Sequence, residues 1–108
     1  MRTLLTGDRP YLRWMNPVRL TGQLVCKTAD EAKIVALHLP QHLELTRAEP
    51  GCLFFNVTPT TNPMIWAVEE RFANSHVFEL HQERVASSEW GRATVNIERR
   101  YSIEGPSR

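Results

Sequence analysis

The sequence predicts an α+β fold, a four-stranded antiparallel sheet with two helices on one of its faces. Three observations predict it. Strand-length runs alternate with two amphipathic helical segments. The middle two runs are joined only by the turn-forming stretch PTTNP. The chain has 108 residues, enough for one domain and short of two.

The first run, VRLTGQLVC from Val18 to Cys26, sets Leu20, Gly22 and Leu24 on one side and Arg19, Thr21 and Gln23 on the other. That is the period of a half-buried strand. TADE follows, where Thr28 can accept from the Glu31 amide while Glu31 reaches back to the Thr28 amide, a capping box. Ala32, Val35, Ala36, Leu39, Leu43 and Thr46 then recur at helical spacing, so one face is expected to be buried. Pro40 has no amide hydrogen and its ring crowds the Ala36 carbonyl, which predicts a kink or break. Pro50-Gly51 ends the helix. CLFFNVT is the second strand and MIWAVEERF the third, and their short connection makes them a hairpin. NSHVFELHQERVASSEW opens at an Asn74 or Ser75 N-cap and places Phe78, His81 and Val85 on one helical face. TVNIERRYSI alternates Val95, Ile97, Tyr101 and Ile103 as the last strand.

The order is β-α-β-β-α-β, the split βαβ or ferredoxin-like arrangement. Right-handed crossovers put both helices on one face of the sheet and leave the other open. The second and third strands are apolar on both faces. Leu53, Phe55 and Val57 alternate with Cys52 and Phe54, and Met64, Trp66 and Val68 alternate with Ile65 and Ala67. An uncovered face of that kind would be a larger apolar patch than a monomer usually carries. A homodimer with its two sheets face to face is therefore expected. Residues 1–17 read as an N-terminal arm, and residues 18–108 as the domain.

Charge and composition narrow the function. Thirteen basic and twelve acidic residues leave a formal net charge of +1, without the basic stripe that a phosphate backbone requires, so nucleic acid is not an expected partner. No apolar run reaches the length of a membrane span, and the N-terminus lacks a signal-peptide core, so a cytoplasmic protein without membrane association is expected. Cys26 and Cys52 lack ligand spacing and read as free, buried thiols. His38 and His42 lie four apart without a third ligand nearby, so no metal is expected. No glycine-rich nucleotide loop is present in the sequence.

Three stretches, HLELTRAEPGCLFFNV, WAVEERF and FELHQERVASSEW, resemble the antibiotic biosynthesis monooxygenase family. The resemblance runs from Val18 to about Ile103. It implies a small ferredoxin-like protein that pairs as a dimeric α/β barrel and oxygenates hydroxylated aromatics, including quinols, without a cofactor. Relatives within the resemblance include haem-degrading oxygenases and an isomerase of a phosphorylated sugar, so it implies fold more firmly than reaction. The haem-degrading branch carries an Asn on strand one and a Trp at the end of strand three. Strand one here has no Asn, and Phe72 stands at the Trp place, which argues against haem. Ala86 stands where many relatives carry a second histidine, leaving His81.

Two residues are the catalytic candidates. His81 faces the sheet, where burial would keep it neutral and able to accept a proton; its plain alternative is a core histidine satisfied by one hydrogen bond. Glu70 shares a row with Met64, Trp66, Val68 and Phe72, so it is either paired with an arginine, the reading the sequence favours, or raised in pKa and functional. Trp66, Phe72 and Trp90 are candidates to enclose a flat aromatic substrate, with core packing as the alternative for each. His42 is a candidate pocket lining near Pro40. Asn56 is placed to hold a substrate oxygen or to lie in the dimer interface. The leading reading is a cofactor-independent monooxygenase acting on a quinol or polyhydroxylated aromatic with O2. The alternatives are an isomerase of a small carbonyl compound and a non-catalytic, dimeric ligand-binding protein.

Overall fold

The computed structural model describes residues 15–105, so most of the expected N-terminal arm lies outside the described residues. The chain folds as β1 (Val18–Val25), α1 (Ala29–Arg47), β2 (Cys52–Pro59), β3 (Ile65–Phe72), α2 (Ser75–Ala86), α3 (Glu89–Ala93) and β4 (Glu98–Glu104). The four strands form one antiparallel sheet in the order β2-β3-β1-β4, the ferredoxin-like topology that the element order predicts. Just before β1, the Asn16 amide donates to the Ala73 carbonyl at 2.8 Å.

Local signals set the element ends. Thr28 caps α1 by accepting from the Glu31 amide at 3.1 Å. Glu31 reaches back one residue further than a standard capping box, to the Lys27 amide at 2.7 Å. Asn74 caps α2 by accepting from the Val77 amide at 2.9 Å. In the β2–β3 turn, the Thr60 hydroxyl donates to the Ile65 carbonyl at 2.8 Å, and Asn62 accepts from the Met64 amide at 2.9 Å. Gly51, at φ +89°, makes the bend from α1 to β2 in a conformation that a side chain would strain. A Cβ there would also lie 2.7 Å from a Val77 methyl, so this turn and α2 pack without a gap.

Three expectations are corrected. Of the kink or break expected at Pro40, the break does not occur, and helix α1 continues through it. Pro40 and Ala36 both face outward, so water can satisfy the carbonyl that loses its partner. The second helical segment is two helices, and β4 begins only at Glu98. Val95 is therefore an exposed loop residue, and Ile97 is buried in the core before the strand starts. In β2 the register slips: Cys52 pairs with Phe72 but Phe54 with Arg71, leaving Leu53 as the extra residue of a bulge. Cys52, expected on the open face, packs against the core, while Leu53, expected inside, is exposed.

The core lies between the sheet and the helices, where Leu20, Leu24, Val35, Phe55, Val68 and Phe72 are all buried. Cys26 is buried and Cys52 half-buried, both as free thiols. The opposite sheet face is more polar than the sequence pattern implies. Phe54, Ile65 and Ala67 share it with Arg19, Thr21, Asn56, Glu69 and Arg71. No described helix is long and apolar enough to cross a membrane.

Candidate active site

The core side of the sheet carries a cluster of buried titratable groups that the strand and helix periods bring together. Leu20 of β1 and Phe55 of β2 flank Glu70 of β3 across the sheet. His81 descends from α2 onto this row, its ring 4.7 Å from that of Phe72 and 5.7 Å from that of Phe55, centroid to centroid. Its Nδ1 lies 2.9 Å from Glu49 Oε1. Its Nε2 lies 3.8 Å from Glu70 Oε1, too far for a hydrogen bond. Glu49 sits in the turn between α1 and β2 and also receives the Arg84 Nε–H on Oε2. Arg84 donates in addition to the Thr46 hydroxyl at 2.9 Å.

Burial dominates the electrostatics. His81 is 3% exposed and Glu70 6%. Desolvation lowers the pKa of His81, against the charge and hydrogen bond of Glu49, which raise it. Desolvation pushes Glu70 up to about 7; the Arg99 charge opposes this and Glu49 adds to it. Among the described residues no arginine forms the ion pair that the sequence favours for Glu70, and Glu70 Oε1 has no hydrogen-bond partner. His42, on α1, stacks flat on Trp90 with centroids 4.3 Å apart and meets Phe55 edge-on at 5.1 Å. Burial first, then the charges of His81, Arg84 and Arg99, lower its pKa to about 3. Its Nδ1 also lacks a partner.

These groups enclose a cavity of about 50 Å³ whose walls include Leu24, Val57 and Val68 as well as His42, Glu70, His81 and Trp90. Phe55 of β2, Val85 and Gln82 of α2, and Arg99 and Tyr101 of β4 complete the lining. Gly22 lies opposite Tyr101 in the sheet, and a Cβ there would come within 2.9 Å of the tyrosine ring, so its absence gives the ring its place. Arg99 donates to the Thr94 and Ile97 carbonyls and to the Thr94 hydroxyl, which anchors it to the loop before β4. A recess of about 380 Å³ at the β2 bulge, lined by Arg47, Cys52, Leu53, Phe54 and Phe55, contains no acid–base pair and lies apart from this chemistry. Among the described residues, no three His, Cys, Asp or Glu side chains converge as metal ligands.

Of the residues singled out in the sequence, the structure brings His81, Glu70, His42 and Trp90 to one cavity. Phe72 is fully buried beneath His81 and backs the site without lining it. Trp66 is half-buried against the core and outside the lining, with its indole nitrogen buried and unpartnered. Asn56 lies on the opposite sheet face and accepts from Arg47 at 3.2 Å. Sequence reasoning missed Glu49, Arg84, Arg99 and Tyr101 as site residues. Arg84 carried a signal, since it lies one turn after His81 on the same helix. Arg99 and Tyr101 carried one in their two-residue alternation. Glu49 carried none beyond its place in the EPGC turn.

No protein-family model matches the chain, and no curated protein matches it. Solved structures do. One, named "Putative antibiotic biosynthesis monooxygenase" from Nitrosomonas europaea, superposes with a TM-score of 0.69 at 17% identity over 85% of this chain and 90% of its own. A protein of the same name from Deinococcus radiodurans gives 0.65 at 19% identity, over 84% and 93%. A Bacteroides thetaiotaomicron protein described as a "Possible Oxidoreductase" gives 0.65 at 13% identity, over 84% and 98%. At such identities the likeness establishes the fold. In architecture, this chain is a ferredoxin-like α+β protein, similar to these solved structures.

Proposed function

We propose that the protein is a cofactor-independent monooxygenase of a quinol or polyhydroxylated aromatic, with His81 as the base. The observation that carries this reading is the 3.8 Å gap between His81 Nε2 and Glu70 Oε1, opening on a cavity walled by apolar and titratable side chains together. A substrate hydroxyl oxygen entering the gap can give its proton to Nε2 while Glu70, protonated below about pH 7, donates to that oxygen or to its neighbour. The phenolate so formed is an electron donor to O2. A quinol and O2 then give a hydroxyquinone and water: one oxygen atom bonds to ring carbon, the O–O bond breaks, and the substrate supplies every electron. Arg99 at the cavity wall stabilises the negative charge that develops on the substrate. An apolar cavity needs about 150 Å³ to hold benzene. At about 50 Å³ this one has room for the reacting hydroxyl, and the ring would remain outside it. A homodimer joined through the open sheet faces is part of the proposal.

The resemblance of the fold to proteins named as monooxygenases favours oxygenation over isomerisation. The cation supply agrees with that choice, because a phosphorylated substrate needs several convergent cations. Here Arg84 is engaged by Glu49 and Arg99 by the Thr94 loop. The test is oxygen uptake across a panel of quinols. His81→Ala is expected to lower the rate by about 10²- to 10⁴-fold, the range for loss of a general base. Turnover of a carbonyl compound under strict anaerobiosis would replace this reading with isomerisation. Tight aromatic binding without turnover, unchanged by His81→Ala, would replace it with ligand binding.

A further inference from the structure

The geometry points to Glu49 as the positioning residue of this site: clamped by Arg84, its carboxylate accepts the Nδ1–H of His81 and fixes the imidazole so that the bare Nε2 faces Glu70 and the cavity. The inference rests on the reading of His81 as the base, and it names a residue that neither helix nor strand period marks.

The hydrogen-bond accounting leaves little freedom. A carboxylate paired with a guanidinium can only accept. Glu49 Oε2 is occupied by Arg84, and Oε1 lies 2.9 Å from His81 Nδ1. The hydrogen of a neutral imidazole therefore sits on Nδ1, and the lone pair on Nε2. Glu49 itself cannot swing away easily. Its amide donates to the Thr46 carbonyl at 3.0 Å, and its carbonyl accepts from the Cys52 amide at 3.1 Å. Arg84 is held from the other side by the fully buried Thr46 hydroxyl. The chain Thr46–Arg84–Glu49–His81 thus ties the end of α1, the following turn and α2 to a single ring orientation.

Glu49 also sets the basicity of Nε2. The charged groups around the ring come from every element packed on it: Glu49 from the turn, Glu70 from β3, Arg84 from α2 and Arg99 from β4, with His42 of α1 6.3 Å away between ring centroids. Glu49 makes the closest ionic contact with His81 and supports the imidazolium that forms when the base takes a proton. Without it, burial and the Arg84 charge oppose that proton with less to offset them.

The test reads the tautomer directly, by long-range ¹⁵N–¹H correlation of the imidazoles in the labelled full chain, with His81 assigned by the signal lost in His81→Gln. The parent protein is expected to show the Nδ1–H form. Glu49→Gln keeps the shape, but its amide can donate as well as accept, so a mixed or Nε2–H form is expected. The His81 titration midpoint should fall by about one pH unit or more. Arg84→Lys retains a cation at Glu49 and should keep the Nδ1–H form, which separates positioning from general disruption of the fold. With an oxidisable quinol, Glu49→Gln should lower kcat by about 10²-fold or more and leave KM within about threefold, as expected when a base is misoriented while binding contacts stay in place. An Nε2–H tautomer in the parent protein overturns the inference without any variant. So does a Glu49→Gln protein with unchanged tautomer and midpoint. A protein without oxygen uptake that shows the predicted tautomer change sinks the monooxygenase reading and leaves the role of Glu49 standing.

Discussion

Glu69 and Glu70 are adjacent on β3, yet the two faces of the sheet give them opposite chemistry. Glu69 lies opposite Thr21 and Asn56, on the open face. It accepts from Arg71 at 3.0 Å and pairs with Arg19 at 3.4 Å. The Arg71 hydrogen bond is the main reason that its carboxyl stays below the usual range. Glu70 lies opposite Leu20 and Phe55, inside, with one oxygen unpartnered and its pKa pushed up to about 7. One step along a strand exchanges arginine and water for hydrocarbon. Acid–base behaviour here belongs to the face and not to the residue type.

The sharpest way to break that comparison is to empty each face of its aromatic ring. Phe72 is fully buried on the core face, and Phe72→Ala is expected to cost about 3–5 kcal/mol by denaturant titration. Phe54 is 39% exposed beneath the Arg71 guanidinium, 5.2 Å from its ring. In the monomer Phe54→Ala should cost about 1 kcal/mol or less. If a second sheet covers that face as proposed, Phe54→Glu should dissociate the homodimer in light scattering. A Phe54→Glu protein that keeps both its assembly and its stability would remove the interface from this face.

A second test uses pH. Glu70 holds its proton more tightly in the folded protein than in the unfolded chain, so its contribution is stabilising at low pH and is lost as pH rises from about 4.5 through 7. The expected loss is about 3 kcal/mol. His42 works in the opposite sense. Its depressed pKa means that stability is present above about 6.5 and is lost as pH falls toward 3. Between about pH 4.5 and 6.5 the two offset each other, so thermal melts should show a plateau there, with losses on the acid side from His42 and on the alkaline side from Glu70. Glu70→Gln should flatten the alkaline side and leave the acid side in place. A stability difference between the parent and Glu70→Gln that stays constant from about pH 4 to 8 would contradict the environment assigned to Glu70.

The smallest effect belongs to the open face. Glu69→Gln removes a carboxylate whose arginine partners stay hydrated, so Tm should move by less than about 3 °C at any pH above 5. A shift as large as that of Glu70→Gln would erase the distinction between the faces, unless it grew with protein concentration and so reported a buried interface.

Much of this architecture was legible before folding. The Thr28 and Asn74 caps, the β2–β3 turn, the alternation of β1 and β3 and the element order each depend on residues within about four positions of one another. Such interactions are encoded by type and spacing alone. The same alternation put Glu70 inside, and the helical period turned His81 toward it.

What the sequence by itself determined, then, is an α+β chain of four strands and covering helices, with one histidine and one glutamate directed into its core. The tertiary structure decided the rest. It placed the β2 bulge that sends Leu53 outward, and it kept α1 continuous through Pro40 because the lost carbonyl partner faces water. Among the described residues it gave Glu70 no arginine partner. It also joined Glu49 to His81 and Arg84, groups separated by 32 and 35 residues, through a turn that carries no periodic signal. Contacts at such separations depend on how packed elements meet in space, and the residue types on either side of them do not specify that meeting.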